Sequence, residues 1–338
     1  MKLVLVAAAP DDGTTFRLVL ERLVRAYRRR GHRAALVLPG PGERDERGPF
    51  ARLVRALRGA DAAHLHTPGR WNRLTAAVGL ACDLRGVPLV VTFQDYANPH
   101  LRRDARRDAA GLRRFLAGRP VVTALSRAQA RALRADFPRA RVRVVPNAFA
   151  APAPLPPPAR RPRPFVLCVA RLWRYKGVDA LLRAWTAVPP GTDLVVCGPD
   201  HERGRYQRLT RRLGLADRVA FTGALPPRRV WALLRACELF VLPSRHEAQG
   251  IALLEAMACG KAVVATRSGG PEDLVRHGRD GVLVAPGDTR ALARALTGLL
   301  ADPARRRALG AAARAAARRR PDDAAAYLRL YAAARRRP

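Results

Sequence analysis

Residues 239–265 set the terms for the rest of this chain. A four-residue apolar run (Leu239–Leu242) leads into a polar loop (Pro243–Gln249), a helix-length apolar stretch over about Ile251–Cys259, and a second apolar run, Ala262–Ala265. Runs that short and apolar read as strands buried on both faces, and a helix between two of them makes the crossover of a parallel sheet. Gly260 stands where that helix needs a left-handed stop. Glu255 is its odd member, because the other residues are Ile, Ala, Leu, Leu, Ala, Met, Ala and Cys. A helix apolar all round is expected to be buried, and a carboxylate in it is costly unless partners satisfy it. A ligand diol at the sheet's carboxyl edge would do so. The helix N-terminus beside Gly250 suits a phosphate or a developing anion.

The same alternation recurs on both sides of a break. In the first half, strand Leu3–Ala8, helix Thr15–Arg30 stopped by Gly31, and strand Arg33–Leu38 open a β-α-β pattern. Further strands are expected at Asp61–His66, Leu89–Thr92, Val121–Ala124 and Val142–Asn147. Residues 149–164, FAAPAPLPPPARRPRP, hold seven prolines and no apolar periodicity, the composition of a stiff linker. Strands then resume at Phe165–Ala170, Asp193–Gly198 and Arg218–Gly223. A chain of 338 residues exceeds one comfortable core. The expected organisation is therefore an α/β domain over 1–148, the linker, and a second α/β domain over 165–320. In the tail, Asp288 or Thr289 caps one helix, Pro303 opens another and Pro321 breaks it. A terminal segment 321–338 remains, with a helix over Asp322–Arg335 whose Tyr327 and Tyr331, four apart, form its apolar face.

Several side chains sit where open parallel sheets meet ligands. Arg171 and Lys176-Gly177 follow a strand end, and an arginine fork with a lysine point charge fits a diphosphate. Lys176 is the more telling, since only Lys2, Lys176 and Lys261 are lysines among 63 Lys+Arg residues. Strand alternation puts His64 and His66 on one side. They read either as a pair facing a cleft or as satisfied strand histidines, and with no third ligand at a useful spacing no metal site is expected. Gly13 is the one glycine of the loop Ala9–Thr14, where a ligand approach and a plain turn are equal readings. Gly269-Gly270 likewise fits either close backbone approach to phosphates or a tight strand-to-helix turn.

The net charge of +36 invites a nucleic-acid partner. Arginine in place of lysine, abundant Ala, Pro and Gly, and the single isoleucine Ile251 instead suggest GC-rich coding bias with a solvated basic surface. Aromatic residues are 6% of the chain and form no interleaved patch, so base stacking is not expected. The segment Leu101–Leu116 reads as a basic amphipathic helix, which covers a sheet or rests on an anionic membrane. Cys82, Cys168, Cys197, Cys237 and Cys259 are scattered without a C-x-x-C and read as reduced core residues. The opening MKLVLVAAAP is too short for a signal segment, and no apolar run approaches membrane-spanning length. The expected location is the cytoplasm, with peripheral contact at the inner face of the membrane as an extension.

Glu247 and Glu255 stand in an E-x7-E spacing, followed by EAMACGKAVVAT, SGGPEDLV and DGVLVAPGD. In this order these segments resemble the family 4 retaining glycosyltransferases of the GT-B fold. The resemblance implies two Rossmann-like parallel-sheet domains with a cleft between them and a terminal helix crossing back to the first domain. It implies transfer of a sugar from a nucleotide-diphosphate sugar to a hydroxyl acceptor, with no cofactor and no metal. By that resemblance Arg171 and Lys176 hold the diphosphate, Glu255 the ribose, and Glu247 lies beside the donor sugar. Gly250, Gly198, Gly223, Gly269 and Gly270 fall on the donor side, and Gly13, His66 and Gln94 on the cleft side of the first domain. The chain departs from the family's pattern at Gln94, where a histidine is common, at Ala148 and Ala170, where glycines are, and after Gly198, where a second glycine is missing. An epimerase or phosphorylase on the same fold is the alternative, although Gln94 cannot carry the proton an epimerase needs. A nucleic-acid-binding protein, motivated by charge alone, is the other.

Overall fold

Each half of the chain forms one parallel sheet wrapped by helices. The structure, a computed structural model, describes residues 1–7, 15–38, 47–67, 73–94, 96, 109–118, 121–147, 149, 151–320 and 323–335. Gly13, Asp95, residues 101–108 and Ala148 lie outside the described residues. The chain divides into two compact units, Met1–Ala150 with Pro321–Pro338, and Ala151–Arg320. The proline-rich residues 151–164 carry neither helix nor strand.

In the first unit the described strands are β1 (Lys2–Ala7), β2 (Arg33–Val37), β3 (Ala62–Thr67), β4 (Leu89–Phe93), β5 (Val121–Ala124) and β6 (Arg141–Val144). All pair in parallel, in the order β2-β1-β3-β4-β5-β6. The order reverses between β1 and β3, and ligands of such sheets bind where it does. The inner strands β3 and β4 are buried at every position, whereas β6 at the edge reads Arg-Val-Arg-Val with its arginines exposed. A charged edge discourages further strand pairing. Helices α1 (Thr15–Arg28), α2 (Arg47–Leu57), α3 (Arg73–Arg85), α4 (Ala109–Gly118) and α5 (Arg127–Asp136) make the crossovers. Ser126 caps α5 through its side chain. Of the amphipathic stretch expected at Leu101–Leu116, α4 is the described part.

The second unit runs β7 (Phe165–Val169), α6 (Val178–Trp185), β8 (Asp193–Cys197), α7 (Arg205–Arg212), β9 (Val219–Gly223), α8 (Pro227–Ala236), β10 (Leu239–Leu242), α9 (Ile251–Ala258), β11 (Ala262–Thr266), β12 (Val282–Val284), α10 (Thr289–Ala301) and α11 (Pro303–Arg318). Its order, β12-β11-β10-β7-β8-β9, is the doubly wound 3-2-1-4-5-6 arrangement, with the reversal between β7 and β10. Strands β7 and β10 are apolar along their length, and β11 up to its last residue, Thr266, because helices cover both faces. Trp185 and Tyr206 fill the layer beneath α6 and α7. Asp288 and Asp302 cap α10 and α11 with side-chain oxygens, and Gly260 ends α9 at φ +73°.

The last helix, α12 (Asp323–Arg335), belongs to the first unit and packs on α1, β3 and β4. Tyr327 and Tyr331 are fully buried there. Four of the five cysteines are buried and all are free thiols, with Cys168 and Cys237 pushed up to about 12 by burial.

Candidate active site

The reversal between β7 and β10 leaves two neighbouring strand ends whose following segments diverge to opposite faces. After β7, Ala170 donates to the Cys197 carbonyl and Leu172 to that of Pro199, so the segment carrying Arg171 extends alongside the one after β8. Gly198 permits this. Its φ is +146°, and a Cβ there would lie 2.0 Å from the Ala170 carbonyl oxygen. A single 3-10 turn, Arg174–Lys176, follows, and Gly177 at φ +68° starts α6.

After β10, residues 243–250 run between two partners. On one side Arg245 N–H donates to the Tyr175 carbonyl at 2.7 Å. On the other, Glu247 N–H donates to Ser268 and the Glu247 carbonyl accepts from Gly270, which makes a one-residue parallel bridge with Gly269. The two segments meet in an ion pair: Lys176 Nζ donates to Glu247 Oε2 at 2.8 Å, with the side chains 13% and 14% exposed. Arg171 and Glu255 are half-buried in the same unit. The sequence-based candidates Arg171, Lys176, Gly198, Glu247 and Gly250 thus all stand on segments leaving the carboxyl ends of β7, β8 and β10.

One expectation changes. Helix α9 is not buried all round, since Ile251, Ala252, Glu255, Ala258 and Cys259 are half-exposed and only Leu253, Leu254, Ala256 and Met257 are enclosed. Glu255 therefore carries less of a burial penalty than an all-apolar helix implies. Gly269 and Gly270 lie in a tight turn. Gly269 N–H donates to Glu272 Oε2 at 2.9 Å, Gly270 N–H to Glu247, and a Cβ on Gly270 would lie 2.5 Å from Gln249 Cα. Gly250 heads α9 at φ +93° with no side-chain cap, and Gly223 ends β9 at φ +67° with open space beside it.

In the first unit the candidates form a buried polar chain. Gln94 and Asn147 exchange amide bonds, Asn147 Nδ2 donating to Gln94 Oε1 at 2.8 Å and Gln94 Nε2 to Asn147 Oδ1 at 3.1 Å. Gln94 Nε2 also donates to His66 Nδ1 at 2.8 Å. His66 therefore keeps its proton on Nε2, which faces His64 Nδ1 at 3.3 Å. His64 in turn donates Nε2–H to Thr92 Oγ1 at 2.7 Å. The rings of His64 and His66 lie 4.0 Å apart, and both are enclosed. Burial holds both neutral, His66 down at about 3 and His64 well below its ordinary value, with His66 as a second cause for His64. His66 is thus enclosed and accepts from Gln94 at its Nδ1. With both amide hydrogens used, Gln94 keeps only carbonyl acceptor capacity.

Asn147, Arg245, which forks onto Asp179, and Tyr331, whose hydroxyl meets His64 Nδ1, are members of these networks that reading the chain did not single out as site residues. Arg245 lies two places before Glu247, but nothing marks one arginine in so basic a chain. All three lysines are engaged, Lys2 and Lys261 on the carbonyls of Arg58 and Cys237, so lysine rarity marks structural use as well.

Residues 156–316 match the family model for glycosyl transferases group 1, and residues 47–151 that for glycosyltransferase family 4. The chain is 38% identical over 158 residues to a GDP-mannose-dependent alpha-(1-6)-phosphatidylinositol monomannoside mannosyltransferase of Mycolicibacterium smegmatis, a match covering 44% of this chain and 41% of that protein. A D-inositol 3-phosphate glycosyltransferase of Acidothermus cellulolyticus is 38% identical over 156 residues, 43% of this chain and 35% of the relative. These matches span about two fifths of the curated relatives' length. Among solved structures, sucrose-phosphate synthase of Thermosynechococcus elongatus superimposes with TM-score 0.82 at 21% identity, covering 98% of this chain and 99% of that one. Anabaena Alr3699/HepE in complex with UDP-glucose gives 0.80 at 22% identity, with 98% and 99% covered. With both halves matched by family models and both sheets shared with these structures, the chain belongs to the family 4 glycosyltransferases of GT-B fold.

Proposed function

We propose that the chain is a glycosyltransferase that moves a sugar from a nucleotide-diphosphate sugar to a hydroxyl on a glycan, a lipid-linked acceptor or a small molecule. It does so with retention at the anomeric carbon and with no metal ion in the step. The observation that carries the proposal is the Lys176–Glu247 pair, 2.8 Å apart beside the strand reversal of the second unit. Arg171 and Lys176 bind the diphosphate and take up the charge that develops as it leaves, which is electrostatic catalysis of departure. Glu247, held by Lys176, lies beside the sugar, where a carboxylate steadies a positively charged anomeric centre. Glu255 accepts the ribose hydroxyls. Acceptor recognition falls to the first unit, through Gln94 with His66 behind it and through Gly13. Two cations at the phosphates do the work a divalent ion does elsewhere.

The named relatives support a nucleotide sugar without agreeing on its base, since one is GDP-mannose-dependent and one structure holds UDP-glucose. The test is a thermal-shift screen of UDP-, GDP- and ADP-sugars, followed by product analysis with the stabilising donor. Expected are nucleoside diphosphate release only with acceptor present, full activity in a chelator, and an anomeric configuration by NMR that matches the donor. Release without acceptor, chelator sensitivity or an inverted product would each overturn the corresponding part.

A further inference from the structure

Lys176 and Glu247 meet from 71 residues apart, and the hydrogen bonds between their two segments gather at Arg245. Its guanidinium forks onto Asp179, Nη1 to Oδ1 at 2.8 Å and Nη2 to Oδ2 at 2.7 Å. Nη1 also reaches the Arg174 carbonyl at 2.8 Å, and the Arg245 backbone N–H reaches that of Tyr175. One residue therefore holds both ends of the turn that carries Lys176, at the carbonyls of residues 174 and 175 and at the first turn of α6. Gly177 makes this close approach sterically open, because a Cβ there would lie 2.0 Å from the Pro243 carbonyl oxygen.

We infer that Arg245 and Asp179 act as one positioning unit for transfer, a clamp that fixes the Lys176 ammonium against Glu247. The inference rests on the proposed roles of Lys176 and Glu247. Arg245 and Asp179 act through those two residues and are not catalytic themselves. The physical reason is directional. A lysine ammonium is a point charge on a flexible stem and fixes no geometry of its own, whereas a guanidinium–carboxylate fork fixes distance and plane together. An isolated surface pair contributes little. This one is partly enclosed, with side chains 38% and 25% exposed, and is joined by two backbone bonds into a network. Burial acts to raise the Asp179 carboxyl, but the bonds and charge of Arg245 together with the backbone N–H groups of Asp179 and Ala180 outweigh that and hold it below the ordinary value.

The chain's three lysines make the clamp observable without an activity assay. With 15N-lysine labelling, a Lys176→Arg variant identifies the Lys176 ammonium signal, and Glu247→Gln shows where that signal moves when the pair is lost. Arg245→Gln and Asp179→Asn should each shift the signal toward its Glu247→Gln position, and the double variant should shift it no further. In transfer assays each should lower kcat by about tenfold or more while donor KM stays within about threefold, and the double should match the worse single, the pattern of residues acting as a unit. Arg245→Lys, which keeps the charge without the fork, should fall between. Arg306→Gln, which removes a 2.6 Å ion pair to Glu238 elsewhere in the same unit, should leave the signal and kcat unchanged. A Lys176 signal indifferent to Arg245→Gln, or additive losses, would overturn the clamp. A wild-type chain that transfers no sugar would overturn the proposed function instead, and the ammonium signal would still decide the clamp.

Discussion

The Tyr331 hydroxyl lies 2.5 Å from His64 Nδ1, across 267 residues of sequence. Because His64 carries its proton on Nε2, Tyr331 is the donor, and its oxygen is left to accept from Tyr27 at 3.1 Å. Tyr331→Phe removes both bonds in a fully buried setting. The expected loss of stability is about 1–3 kcal/mol, measured by denaturant unfolding. A change within error would mean that the hydroxyl contributes packing only.

Acid should destabilise the first unit for the same reason. His64 and His66 are folded in neutral form, with pKa values below the ordinary 6.5. Below pH 6.5 the unfolded chain takes up protons that the folded chain refuses, so stability is whole above that value and falls as pH drops toward about 3. At pH 5 the penalty is on the order of 1–2 kcal/mol per histidine. A His64→Asn, His66→Asn double variant that keeps the wild-type slope of melting temperature between pH 7 and 5 would contradict this.

Replacing Lys176 with Ala should slow turnover more than it weakens acceptor binding, since the ammonium is assigned to leaving-group charge. It also strips the partner from a Glu247 carboxylate that is only 14% exposed. Loss of one such electrostatic contact costs on the order of 100-fold in kcat. Steady-state kinetics with both substrates varied separates the two effects, and an unaltered kcat refutes the assignment.

For Glu255, truncation to Ala should remove a charge-assisted bond of about 1.5–3 kcal/mol, or roughly 10- to 150-fold in nucleotide affinity. The half-exposed position makes this a clean substitution, because no enclosed cavity is left behind. Calorimetry with the nucleoside diphosphate reads it directly. Equal dissociation constants would rule out the ribose role.

Gly177→Ala places a methyl 2.0 Å from the Pro243 carbonyl at φ +68°, strained on both counts. The two segments must separate, and a loss above about 2 kcal/mol is expected. Gly223→Ala, at φ +67° with open space around it, isolates the backbone contribution. If both cost the same, the close approach is not what Gly177 secures.

Much of the fold is legible along the chain because a parallel strand enclosed on both faces is apolar wherever no buried partner satisfies a polar side chain. The runs at 165–169, 239–242 and 262–265 announce themselves for that reason. Capping is as local: Asp288 for α10, Pro303 for the start of α11 and Gly260 for the end of α9 each follow from a single residue's backbone or side-chain chemistry. The exposure of Glu255 is not local. It depends on what packs against α9, and helix composition cannot say which side stays uncovered. His64 and His66 show both limits. Alternation puts them on one side of β3, but what satisfies them lies elsewhere in the chain: Gln94 for His66, and for His64 both Thr92 and a tyrosine 267 residues away.

The order of residues by itself determined the α/β class, the division near residue 150, and the candidates Arg171, Lys176, Glu247 and Glu255, since strand burial, helix capping and motif spacing are properties of contiguous residues. Only the tertiary structure decided that Lys176 pairs with Glu247, that Arg245 and Asp179 join the segments bearing them, and that Gln94 is locked by Asn147 and His66. Those contacts join strand ends made neighbours by the sheet order, and the pairing of strands distant in sequence is fixed by packing of the whole unit rather than by any local signal.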